Sequence, residues 1–235
     1  MRIMVINPNS STPMTDHIRT ELERVKRQDT EVTVITNEGA PPAIQSAMDE
    51  AASVPPLLER VLRANQEAFD AVILACFSDP GLHAAREASQ ILVLGIEETT
   101  LHIAAMMGHR FTILTPLASR IPSKVENVKR CGLSEYLSSV RALGMTVAET
   151  EADPDRTKAQ ILNVSRNAMN QDGAEVIVLG CAGMVGYARD VETELGLVVL
   201  DPTTVTLKVC EGLVDAGVRH CRNGLYASPC DSNEP

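Results

Sequence analysis

Two apolar runs constrain this chain most: Asp70-Ala-Val-Ile-Leu-Ala-Cys76 and Glu175-Val-Ile-Val-Leu-Gly-Cys181. Each begins at an acidic residue, continues through small and aliphatic residues and ends at a cysteine. The two cysteines stand 105 positions apart (181 − 76). Unbroken Val/Ile/Leu runs are the signature of strands buried on both faces of a parallel sheet. Helices must cover such a sheet, and ligands bind at the carboxyl ends of its strands. Thiols at two equivalent strand ends therefore have the placement to face each other across one pocket. Such a pair suits the movement of a proton between opposite faces of a bound molecule.

Other segments repeat in the same order. Arg2-Ile-Met-Val-Ile-Asn-Pro8 matches Arg110-Phe-Thr-Ile-Leu-Thr-Pro116, and 68 residues separate Pro8 from Cys76 against 65 between Pro116 and Cys181. After each cysteine a further strand leads into an acidic residue and paired threonines, Glu97-Glu-Thr-Thr100 and Asp201-Pro-Thr-Thr204. One matching apolar run would mean little in any α/β protein, whereas three in order indicate duplicated halves. Strands are predicted at 3–6, 31–36, 71–75, 91–94, 110–114, 140–146, 176–179 and 197–200. Helices are predicted at 12–26, 55–67, 82–89, 99–106, 122–131, 155–171, 188–194 and 203–216. The expected fold is α/β with two pseudo-symmetric lobes, each a mostly parallel sheet flanked by helices, and a site in the cleft between them. The first lobe is expected to comprise 1–96 plus 205–227 and the second 97–204, with the final helix packing back on the first. The polar stretch 228–235 reads as a disordered tail.

Composition narrows the function. A net charge of −10 speaks against nucleic acid, which needs clustered Lys and Arg. No apolar stretch approaches the roughly 20 residues that span a bilayer, and Met1-Arg2 leads directly into a strand-like run without a signal-peptide core. The expectation is a cytoplasmic protein acting on a small molecule. The six cysteines include no C-x-x-C pair, and no histidine stands at metal-ligand spacing from them, so neither a disulfide framework nor a zinc site is expected.

Cys76 opens Cys76-Phe-Ser-Asp-Pro-Gly81, where Pro80 and Gly81 mark a turn into a helix, so its thiol sits near backbone N–H groups that favour a thiolate. Cys181 follows Gly180 and precedes Ala182-Gly183, small residues that let a ligand approach the backbone. A lone cysteine after an apolar run reads first as a buried structural thiol, and the matched pair reverses that preference. In Asn7-Pro-Asn-Ser-Ser-Thr12, Ser11 or Thr12 suits a helix cap and Asn9 suits a polar ligand. Thr115 holds the equivalent place in the second half. His83, seven residues past Cys76, reads as a solvent-facing helical residue rather than a base. Gly180-x-x-Gly183-x-x-Gly186 lacks nucleotide-loop spacing, and no G-x-S-x-G nucleophile elbow is present.

Ile6-Asn-Pro-Asn-Ser10, Ala75-Cys-Phe-Ser-Asp-Pro-Gly81 and Leu179-Gly-Cys-Ala-Gly-Met184 together resemble the aspartate/glutamate/hydantoin racemase superfamily, most closely its hydantoin and allantoin racemase branch. The resemblance implies two α/β lobes, one catalytic cysteine from each, no cofactor, no metal and a homo-oligomer. It implies Cys76 and Cys181 as the two acid–base residues, and Asn9, Phe77, Ser78, Thr115, Gly180 and Ala182 as contacts to a ring substrate. Amino acid racemases of the superfamily typically carry Cys-Asn-Thr and Cys-Thr-His, whereas this chain has Cys76-Phe-Ser and Cys181-Ala-Gly. The missing histidine suggests a site with few charged helpers, suited to the more acidic C5–H of a hydantoin. Arylmalonate decarboxylases keep one of the two cysteines, so retention of both points to racemisation. Two positions depart from the hydantoin racemase pattern: Ala43 in Pro41-Pro-Ala-Ile-Gln45 and Pro116 in Thr115-Pro-Leu117 each replace a hydroxyl. The alternatives are an aspartate- or glutamate-type racemase or cis–trans isomerase of the same superfamily, and a non-catalytic two-lobed sensor.

Overall fold

A computed structural model describes residues 1–227; the tail expected at 228–235 lies outside the described residues. Two four-stranded, wholly parallel sheets form the frame. The first is built from β1 (Arg2–Asn7), β2 (Glu31–Thr36), β3 (Ala71–Leu74) and β4 (Leu92–Gly95), in the order β2-β1-β3-β4. The second uses β5 (Phe111–Thr115), β6 (Leu137–Ala142), β7 (Val176–Leu179) and β8 (Val198–Leu200), in the order β6-β5-β7-β8. The orders are identical once each strand is matched to its counterpart, as the duplication predicts. β3 and β7, the runs that precede the cysteines, are inner strands buried at every residue.

Register aligns the halves residue by residue. Ile6 pairs with Leu74 and Leu114 with Leu179, so Cys76 and Cys181 each stand two residues past their strand's last pair with the neighbouring strand. Ala75 donates its N–H to Ile6 (2.8 Å) and Gly180 donates to Leu114 (2.7 Å), the same bond in both lobes. The halves differ in the residue that makes it, alanine in the first and glycine in the second, and the second strand end passes closer to its neighbour. A Cβ on Gly180 would lie 2.5 Å from the Leu114 carbonyl oxygen, so glycine serves strand packing rather than ligand approach.

Helices α1 (Thr12–Val25), α2 (Ala47–Gln66), α3 (Leu82–Ala88) and α4 (Ile96–Met107) alternate with the first strands. After β5 come α5 (Ile121–Arg130), α6 (Val147–Ala152), α7 (Pro154–Asn167), α8 (Ala188–Leu195) and α9 (Pro202–Asp215). Two helices cross over: α4 lies against β7 and β8, while α9 lies against β3 and β4, and the two helices also pack on each other. One apolar cluster therefore runs through both halves, joining Ile3, Ile73 and Ala75 to Phe111, Val178 and Leu207.

Three elements differ from the sequence expectation. α2 starts eight residues before Pro55, because Ser46 caps it by accepting the Asp49 N–H (3.1 Å) and Asp49 closes the turn onto Ser46 and Gln45. The helix accommodates Pro55 and Pro56, whose missing N–H groups would have bonded to the carbonyls of Ala51 and Ala52, both exposed to solvent. β6 ends at Ala142 instead of reaching Thr146, because Thr146 leaves the sheet to cap α6. α6 itself was not expected: a reciprocal capping box of Thr146 and Glu149 separates it from α7.

Candidate active site

Loops at the carboxyl ends of both sheets surround one cavity, a cleft of about 550 Å³ including its open mouth. All eight residues singled out from the sequence line it. Cys76, Phe77 and Ser78 come from the loop after β3, and Gly180, Cys181 and Ala182 from the loop after β7; Asn9 and Thr115 follow β1 and β5. The cavity therefore receives the same two loops from each half.

Each thiol has limited exposure and is surrounded by protein. Burial pushes Cys76 up to about 12, with the Ser78 hydroxyl, 3.4 Å from its sulfur, and Lys124 opposing the rise. Burial pushes Cys181 up to about 11, opposed by the Gly183 N–H, which donates to its sulfur at 3.4 Å, and by Lys124. The charge of either thiolate would weigh on the other, since Cys181 also raises Cys76. One thiolate facing one thiol is the charge state such a pair favours over two thiolates. The resting pair is neutral, and once ionised each sulfur is a strong base.

Donors stand near both sulfurs. Among the described residues, the N–H groups of Phe77, Ser78 and Ala182 have no protein acceptor. The Thr115 hydroxyl likewise has no partner, although Thr115 is 1% exposed. Asn9 is more committed: its carbonyl oxygen accepts from the Asn7 amide (2.9 Å) and the Ser11 N–H (2.8 Å), while its amide nitrogen meets the Met14 sulfur (3.2 Å). Ser11 caps α1, as its sequence position suggests. His83 lies elsewhere, with its ring nitrogen 3.1 Å from the Tyr226 hydroxyl.

Asp79 fixes the Cys76 loop. Its backbone is left-handed (φ +45°), a conformation aspartate tolerates better than most residues. Its carboxylate accepts the N–H groups of Glu97 (3.0 Å) and Glu98 (2.7 Å) at the start of α4. Gly95 makes this possible, since a Cβ there would lie 2.2 Å from the Asp79 carboxyl carbon. The second half makes the same tie from the opposite side: Asp201 caps α9 and reaches the Gly186 N–H in the Cys181 loop (2.8 Å). Burial, foremost, lifts Asp79 to about 8 and Asp201 to about 6.

Sequence reasoning missed the charged wall. Few charged helpers were expected, yet Lys124, Arg120 and Glu50 line the cavity. Arg120 at the entry to α5 is paired with Glu50 of α2, and Lys124, one turn on, is paired with Glu97 (3.1 Å). The signal was present as the i, i+4 spacing of Arg120 and Lys124 on an amphipathic helix, but surface lysines and arginines at that spacing are common. Of the two departures, Pro116 lines the cavity while Ala43 packs against the core outside it, so only one lost hydroxyl bears on the site. Among the described residues no cluster of His, Cys, Asp or Glu is arranged to hold a metal ion, and no helix is long and apolar enough to cross a membrane.

Comparison with known proteins agrees with this architecture. The family model described as Asp/Glu/Hydantoin racemase matches residues 3–210. A hydantoin racemase from Pseudomonas sp. (strain NS671) is 35% identical over 230 residues, covering 97% of this chain and 92% of that protein. The solved structure of allantoin racemase from Klebsiella pneumoniae superposes with a TM-score of 0.94 at 32% identity, covering 97% of this chain and 94% of the other. Allantoin racemase from Pseudomonas fluorescens gives 0.93 at 30% identity, covering 97% of both chains. From its strand order to its paired loops, the chain belongs to the Asp/Glu/hydantoin racemase family.

Proposed function

We propose that the chain is a cofactor-independent racemase that interconverts the enantiomers of 5-substituted hydantoins, allantoin among them, with Cys76 and Cys181 as its two bases. The observation that carries this reading is the placement of two thiols at equivalent strand ends in one cavity. Lobes of 1–96 with 205–227 and of 97–204 would supply one thiol each, a division supported by the seat of α9 on β3 and β4. The similarity to hydantoin and allantoin racemases supports the substrate class.

In this mechanism one cysteine, as thiolate, takes the proton from C5. The C–H pair becomes the ring's enolate, with its charge on the adjacent carbonyl oxygen. The opposite cysteine, as thiol, returns a proton to the other face and is left as thiolate, so the pair emerges with its roles exchanged. Burial makes the thiolate basic enough to attack a weakly acidic C–H and keeps its population low near neutral pH. Free N–H groups at Phe77, Ser78 and Ala182 are suited to the developing oxyanion.

An acidic amino acid substrate is the second reading, and only the cationic side chains of the wall favour it. Each cation already has a carboxylate partner, Glu50 for Arg120 and Glu97 for Lys124, so neither is free of charge pairing to meet the two carboxylates of such a substrate. Incubation with single enantiomers of a hydantoin panel, allantoin, aspartate and glutamate, followed by chiral chromatography, separates the readings. Racemised hydantoin or allantoin with unchanged amino acids is the expected result; the converse supports the second reading, and no turnover of any contradicts both.

A further inference from the structure

Lys124 is an unusual wall residue. Its side chain is 4% exposed, as is that of its partner Glu97. Among the described residues its ammonium has one acceptor, the near Glu97 oxygen at 3.1 Å, while the other Glu97 oxygen takes the Asn127 amide at 2.7 Å. A lysine ammonium carries three donors, and a buried donor without an acceptor costs free energy. The pair is also asymmetric: Lys124 lines the thiol cavity, whereas Glu97 lines an adjoining cavity that shares Glu50 and Ser78 with it. The Phe77 ring lies beside the ammonium, 5.0 Å from its centroid. Glu97 and the Phe77 ring thus hold a cation, with donors to spare, on a residue that lines the same cavity as the two cysteines.

We propose that Lys124 is a catalytic residue that hydrogen-bonds the substrate carbonyl oxygen beside the stereocentre and holds the enolate charge which either thiolate creates. The proposal rests on the racemase reading for its substrate and adds the ligand that this ammonium takes: a planar ring oxyanion. Chemistry balances without further reactants. The C–H bond breaks, an S–H bond forms, the electron pair moves to oxygen, and Lys124 donates a hydrogen bond while keeping its proton. Because the oxygen lies in the plane of the enolate, one cation serves both directions of racemisation, whichever sulfur takes the proton. Lys124 also opposes the upward shift of both thiols, consistent with a position near the pair.

The test compares wild type with Lys124→Met, Lys124→Arg and the double variant Lys124→Met/Glu97→Gln, which avoids leaving Glu97 buried without its cation. Two quantities are measured: turnover of each enantiomer, and calorimetric binding of barbiturate, a planar ring anion, against binding of neutral hydantoin. In both Met variants kcat should fall at least about 100-fold in both directions. Barbiturate affinity should drop more than tenfold while hydantoin affinity moves less than threefold, and Lys124→Arg should restore part of each loss. Wild-type kcat in a folded Met variant, or equal weakening of barbiturate and hydantoin, would overturn the proposal. If wild type racemises nothing yet its barbiturate binding still requires Lys124, the anion site stands and the substrate reading fails.

Discussion

At the residue scale the proposed mechanism places opposite demands on the two cysteines. A base must ionise, yet burial holds both thiols protonated, at about 12 for Cys76 and about 11 for Cys181. Below those values the thiolate fraction grows about tenfold per pH unit. The predicted kcat/KM therefore rises with pH from 7 to 10 with a logarithmic slope near one; a plateau below pH 8 would contradict thiols raised this far in the free protein. The cysteines were legible because a buried run ending in the same residue occurs twice. Lys124 was not, since its spacing from Arg120 on an amphipathic helix reads equally as a solvated face and does not show that folding will bury it against Glu97. Gly180 was legible as a small residue but not for its reason, which is the approach of the Leu114 carbonyl.

At the scale of elements, the loops that carry the thiols are set by backbone contacts. Gly180→Ala should destabilise the protein by about 1–3 kcal/mol in urea unfolding, because a Cβ 2.5 Å from a strand carbonyl forces β5 and β7 apart. Gly183→Ala should change stability by less than about 0.5 kcal/mol, since its Cβ meets nothing closer than 3.4 Å. Equal costs at the two positions would contradict this account of the loop. Inner strands were readable from their continuous aliphatic runs. β6 was harder: Leu137-Ser-Ser-Val-Arg-Ala142 lies at a sheet edge, half-buried throughout, and its alternation is weak. The start of α2 was misplaced by treating Pro55 as a boundary, although Ser46 and Asp49 carried the true capping signal.

Across the whole molecule, duplication places the site. Crossing of α4 and α9 between the sheets ties the halves together, with one core cluster spanning both. That crossover was only partly visible, because helical periodicity identifies a buried face without identifying what buries it. Stability should depend on pH through the buried thiols. Cys76, Cys181 and Cys210 are all raised in the folded state, the last to about 12, so the folded chain binds more protons than the unfolded chain above pH ~8.5. Their contribution is complete below that pH and is lost as pH climbs toward 11–12. The urea midpoint should fall between pH 8 and 10, and it should fall less in a Cys76→Ala/Cys181→Ala/Cys210→Ala variant; an identical fall would assign the effect to other groups.

Hydrogen exchange at the stereocentre tests the two-base account most directly. Single enantiomers of a 5-substituted hydantoin are incubated in heavy water with wild type, Cys76→Ala and Cys181→Ala, and both C5 deuteration and optical rotation are followed. Wild type should place deuterium in the product enantiomer from either starting hand. Each variant should lose racemisation, by at least about 1,000-fold, because no sulfur remains to serve one face. A variant retaining its remaining thiolate should still exchange deuterium into one enantiomer without inverting it, and the two variants should favour opposite hands. Full racemisation in either single variant would contradict the two-cysteine mechanism.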